Sequence, residues 1–271
     1  MILRSHTLTL LLCTLLILGC GLEEDVTITE IDTTEVSVIE EEGCGLNYRE
    51  RGYIYEQGPN TYLWAGDDSM SHFNITQWEF DECNLKFGFG REHIPALINP
   101  QYISLNLVRD RYSDGQKALV LYTNDSPKIF PYAEMIRYEL VNEVADGNPI
   151  MIAYCILAEL GAIYTRVYCD VPFTFALSGY TYYEDEVWNG LDAFVLWDRD
   201  TESLWWPLID EAVSGSMKGT VLEKYDENAW EIMTWEDILI NFSEARVLLP
   251  DQAHQIPDDY PRRHPRNLDC N

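Results

Sequence analysis

Positive charge is what this sequence has least of. Its 271 residues carry 18 Lys and Arg against 46 Asp and Glu, a formal net charge of -28 at pH 7. Binding a phosphate backbone requires a basic face, and so few cations cannot assemble one, so nucleic acid is excluded as a partner. Peripheral binding to anionic lipid through a polybasic patch is excluded on the same ground. Histidine is scarce too. Outside the first twenty residues it occurs at His72, His93, His254 and His264, with no helical or strand spacing between any two, which argues against a His-built metal site. Also missing are cysteine pairs at metal-ligand spacing, a loop with Asp-x-Asp-x-Asp-Gly order, and any His or Gly-x-Ser-x-Gly context around Ser203. The expectation is no metal, no cofactor and no hydrolase triad. No internal repeat is evident.

What is present begins with an address. Residues 1–19 read as a lipoprotein signal peptide: Arg4 supplies the basic start, and Leu8 to Leu18 form an apolar stretch too short to span a bilayer comfortably. The stretch ends in Ile17-Leu18-Gly19-Cys20, which resembles a bacterial lipobox. On that reading Cys20 becomes the lipidated, palmitate-bearing N-terminus. An ordinary signal peptide and a short membrane anchor are the alternatives. Acyl chains anchor at roughly 0.8 kcal/mol per buried methylene, and several together hold stably. The expected location is the cell envelope, lipid-anchored, with the outer membrane or cell surface favoured. Residues 20–42 hold the lipidated Cys and an acidic tether, in which 21–42 carry nine acids and no base. Such a segment repels itself and extends. Its Glu23-Glu24-Asp25 cluster is read either as a surface-export signal or as plain spacer.

Seven cysteines fall to five once Cys13 leaves with the signal and Cys20 is lipidated: Cys44, Cys83, Cys155, Cys169 and Cys270. An envelope location permits disulfides. Five is odd, so at least one thiol stays free or pairs elsewhere. The candidate bridge joins Cys44 to Cys83 or Cys270.

Hydrophobic residues make up 46% of the chain and aromatics 13%, enough apolar surface to fold. Residues 43–90 read as an aromatic, β-rich N-terminal region with short strands at Tyr53-Ile54-Tyr55, Tyr62-Leu63-Trp64 and from Leu85 to Phe89. Residues 91–250 form the main domain, and 251–271 a Pro-rich tail. Within the main domain, apolar runs predict buried strands at Ala118 to Tyr122, Ile150 to Tyr154 and Ala193 to Trp197. Pro131 is expected to start a helix reaching Glu143, because Tyr132, Ile136 and Leu140 share one face. Gly161 to Tyr168 and Phe173 to Gly179 are expected to form a hairpin around Asp170 and Pro172. Thr234 is expected to cap a short helix. Strands outnumber helices, so the expected fold class is α+β, with a predominantly antiparallel β-sheet and a few short helices.

Six blocks in order carry a family resemblance: Ile94-Pro95-Ala96-Leu97-Ile98, Phe130-Pro131, Glu139-Leu140-Val141-Asn142-Glu143, Tyr154-Cys155-Ile156-Leu157, Ser178-Gly179, and Trp197 through Trp205. Together with Thr234-Trp235 and Val247-Leu248-Leu249, they resemble the prokaryotic domain of unknown function 3179 over roughly residues 90–250. The resemblance implies a fold and a set of candidate positions, and it carries no activity. It also implies a His-Glu pair and a Cys-Pro-Leu-Cys-Gly stretch, which together would suit a metal or thiol-redox site. Here the His position is Tyr138 and the second Cys position is Ala158, so a dithiol cycle is impossible and a Cys-His pair has lost its base.

The remaining catalytic candidates are Cys155, Glu139, Tyr138 and Arg199, and the binding candidates are Asn142, Asp198, Ser203 and Trp205. Each has a structural alternative. Buried cysteine is commonly a small hydrophobe, Glu139 suits a solvated face, and Asp198-Arg199 suits an internal pair. Trp188, Trp197, Trp205 and Trp206 suit either a glycan platform or a core. Three functions follow. The first is a non-catalytic envelope lipoprotein that binds or scaffolds. The second is an enzyme with a remodelled pocket in which Cys155, Glu139, Tyr138 and Arg199 converge. The third is a glycan- or polymer-binding module built on exposed tryptophans. The identity of a protein or glycan partner in the envelope stays open.

Overall fold

A computed structural model describes residues 48–189 and 192–253. The signal segment, Cys20, the acidic tether, Cys44 and Cys270 lie outside the described residues. Among those described, nineteen strands form five sheets, mostly antiparallel, joined by a few short helices. No described helix is long and apolar enough to cross a membrane.

The architecture is built around one sheet buried on both faces. Strand β10 (Asn148–Cys155) pairs antiparallel with β9 (Leu140–Ala145) and β11 (Leu160–Thr165), and β5 (Leu97–Ile98) lies parallel on the far side of β9. Side chains alternate across a strand with period two. Met151, Ala153 and Cys155 therefore enter one core, while Ile150, Ile152 and Tyr154 enter another. A strand covered on both faces needs apolar residues at nearly every position, which is why this run alternates so little with polar residues.

The first core is closed by a five-stranded sheet in the order β17 (Glu211–Ala212), β16 (Leu204–Trp206), β15 (Ala193–Asp198), β14 (Phe175–Tyr182), β4 (Leu85–Phe87). The second core is closed by a sheet in the order β18 (Trp230–Thr234), β7 (Lys117–Leu121), β8 (Lys128–Pro131), β19 (Arg246–Leu248), β6 (Tyr102–Ser104). In this outer sheet β19 is an interior strand, parallel to β8 and antiparallel to β6. Leu119 and Leu121 face the second core, and Ala118 and Val120 face a third, covered by helix α3 (Trp235–Asn241). As expected, Thr234 caps α3, accepting from the Asp237 N–H at 3.2 Å. The N-terminal region forms its own three-stranded sheet, β1 (Ile54–Gln57), β2 (Asn60–Leu63) and β3 (Phe73–Asn74). Strand β4 leaves that region and pairs with β14.

Two expectations need correction. The helix after Pro131 is a single turn, α1 (Tyr132–Met135), and not a segment reaching Glu143. Glu139 adopts a left-handed backbone, φ 56°, which ends any helix, and Leu140 begins β9. Pairing with β10 outweighs the helical spacing of Tyr132, Ile136 and Leu140. The long hairpin is also replaced. The turn expected around Asp170 and Pro172 lies at Cys169-Asp170, and it joins only β12 (Val167–Tyr168) and β13 (Val171–Pro172), so Pro172 is already in a strand. The longer strands on either side, β11 and β14, belong to different sheets.

Candidate functional site

A cavity of about 140 Å³ lies where the end of β10 meets the middle of β14. Its floor is buried: Cys155 from β10, Leu177 and Tyr180 from β14, and Phe194 from β15. Its rim is open. Phe89 is 53% exposed and Leu157 54%, and the exposed His93 ring stacks on Phe89 at 4.9 Å between centroids. Glu139 lines the same space.

Local backbone geometry makes the cavity. Strand β14 carries a register shift against β15 between Leu177 and Thr181, stabilised where the Ser178 hydroxyl donates to the Val195 carbonyl. Bulges of this kind re-aim side chains beside sites. At the bulge Gly179 has φ 89°, and its carbonyl accepts from the backbone N–H groups of Gly88 and Phe89 at 2.9 and 3.1 Å. A Cβ on Gly179 would sit 2.1 Å from the Phe89 carbonyl oxygen, so only glycine lets the 88–90 segment approach. That segment is braced further on. The Arg91 guanidinium lies 3.4 Å from the Trp197 ring centroid and pairs with Glu202 at 3.3 Å. Arg199 grips the Glu92 carboxylate with two donors at 2.8 and 2.6 Å.

Two titratable groups of the lining, Cys155 and Glu139, are held toward their neutral forms. Burial pushes the Cys155 thiol up and the neighbouring Glu139 carboxylate adds to this, while the backbone N–H groups of Ala158, Phe194 and Leu157 pull the other way. Burial alone raises Glu139 to about 7. Among the described residues its carboxyl has no hydrogen-bond or ion-pair partner.

Of the four catalytic candidates, the structure brings Cys155 and Glu139 together and keeps the other two out. Tyr138 points into the second core and donates its hydroxyl to the Gln252 carbonyl at 2.7 Å. Arg199 is spent on Glu92. The convergence of all four is therefore corrected, because the turn at Glu139 sends its neighbour to the opposite side of the central sheet.

The binding candidates are structural. Asn142 lies on β9, and its amide both donates to the Phe175 carbonyl and accepts from the Phe175 N–H, each at 2.9 Å, stitching two sheets together. Asp198 accepts from the Thr201 N–H and hydroxyl and from the Trp205 indole at 2.8 Å. Ser203 shares a hydrogen bond with Thr201 and accepts from the Met217 N–H. Trp197, Trp205 and Trp206 are buried and Trp188 alone of the four is exposed, so the tryptophan platform is also corrected: these rings fill the core.

Sequence reasoning missed His93, Phe89, Tyr180 and Phe194. The usable signals were the Gly88-Phe89-Gly90 stretch beside His93 and the Ser178-Gly179 block, which the bulge now explains. Among the described residues no group of three potential ligands is placed to hold a metal ion.

The family model for a protein of unknown function, DUF3179, covers residues 91–265. No curated protein and no solved structure matches.

Proposed function

We propose, from the premise that this chain belongs to the DUF3179 family of proteins of unknown function, that it binds a small ligand without transforming it, in the cavity between Glu139 and Cys155. The observation that carries this is an apolar cavity enclosing a thiol that burial keeps protonated. The thiolate, and not the thiol, is the nucleophile. Among the described residues no Lys or Arg lines the cavity, and His93 sits at the rim against Phe89. The anchoring belongs to the same proposal. The Leu18-Gly19-Cys20 sequence supports a lipid anchor at Cys20, and the acidic run behind it supports a tether that holds the domain off an envelope membrane.

Cys83 and Cys169 are disulfide-bonded and Cys155 is free. The proposed bridge of Cys44 to Cys83 or Cys270 is checked by non-reducing peptide mapping.

The competing reading is a thiol enzyme with His93 as its base, favoured by the one fact that His93 lines the same cavity as Cys155. Iodoacetamide labelling of the mature protein separates the two. A binding cavity predicts slow native labelling of Cys155 with no inflection between pH 6 and 8. Fast labelling with an inflection near neutrality would replace the binding reading with the enzyme.

A further inference from the structure

Resting on the binding reading above, the geometry points to a small organic cation, carrying a quaternary or fully alkylated ammonium group, as the ligand of this cavity. The first ground is the unpaired carboxyl. The four buried carboxyls outside the cavity all have donors: Glu92 has Arg199, Glu134 has Arg111 and Tyr112, Glu143 has Lys128 and Tyr102, and Asp198 has Thr201 and Trp205. Glu139 is part-buried at the cavity, and no described residue supplies it with a donor. A partner that arrives from outside would complete it.

The second ground is the rest of the lining. Phe89, His93, Tyr180 and Phe194 are among the lining residues, and among the described residues no Lys or Arg lines the space. The negative face of an aromatic ring attracts a cation, most strongly where water is excluded. A primary ammonium has three N–H donors to satisfy, and one carboxylate among apolar walls and rings does not satisfy them. A quaternary ammonium has no N–H and asks only for opposite charge and polarisable contact. The volume fits as well, since cavities of about 150 Å³ admit benzene. The surplus of acids across the chain, net -28, draws cations toward the mouth.

The test is calorimetric titration of the mature, full-length chain with choline and with its uncharged carbon isostere, 3,3-dimethylbutan-1-ol. Choline is expected to bind about tenfold or more tightly than the isostere, the scale of a desolvated cation–π contact. Glu139→Gln should abolish that preference and leave the isostere's affinity unchanged. Phe89→Leu, at the exposed rim where folding is not at stake, should weaken choline more than the isostere. Equal binding of both ligands, or a preference that survives Glu139→Gln, would overturn the cation and leave the binding cavity standing. Binding of neither would overturn the cavity reading together with the cation.

Discussion

Two carboxyls, one buried and one part-buried, sit in this molecule within the reach of the same five-stranded sheet, and they are treated in opposite ways. Asp198, at the end of β15, is surrounded by donors: the Thr201 N–H and hydroxyl and the Trp205 indole all point at it. Burial still raises it to about 6, with those donors pulling down. Glu139, at the head of β9, is raised to about 7 by burial with nothing to offset it. The first is a corner post: its donors would themselves be stranded without it, and the 198–205 turn closes around it. The second sits on a left-handed residue beside a cavity. A buried polar group that is satisfied specifies structure, whereas a part-buried one left unpaired faces whatever enters the space beside it.

The largest test of that contrast is Asp198→Ala. It leaves the Trp205 indole and the Thr201 N–H without an acceptor inside the core, and should cost about 3–5 kcal/mol in urea denaturation. A loss below about 1 kcal/mol would erase the distinction between the two carboxyls. Glu139→Gln should act in the other direction, and only at high pH. The folded pKa lies above the unfolded one, so the wild type is fully stable, relative to the variant, below about pH 4.5, and loses that parity as pH rises through about 7. The variant should match the wild type at pH 4 and exceed it at pH 8 by on the order of 2–3 kcal/mol, as read from denaturation at the two pH values. Ser203→Ala sharpens the comparison at its small end. It removes the acceptor for the Met217 N–H and one link to Thr201, at about 1–2 kcal/mol by the same denaturation assay, with no dependence on pH between 4 and 8.

The difference between the two carboxyls also shows what the sequence could disclose. Asp198 lies in a compact turn whose partners are within seven residues, and an internal structural pair was legible there, although Arg199 turns to Glu92 and not to Asp198. The central strand β10 was legible for a similar reason, because an unbroken apolar run has few other uses. The cap at Thr234 was legible from local chemistry alone. Glu139 was misplaced on a helix because Tyr132, Ile136 and Leu140 keep a helical period through a segment that the sheet claims. The cavity was not legible at all. Its rim comes from residues 88–94, held against Gly179 by backbone hydrogen bonds, and its floor from strands β10, β14 and β15. No local period encodes a meeting of segments so far apart in the chain.

Strand β19 has a consequence for the order of events in folding. It is nearly the last described segment, yet it occupies an interior place in the outer sheet, between β8 and β6. A chain emerging from the ribosome therefore holds two open strand edges, one on each side of the gap, until residues 246–248 are free to insert. Non-local pairings of this kind are slow to form, and open edges recruit other strands meanwhile. In this late strand the outer sheet has a latch that closes only once residues 246–248 have been made.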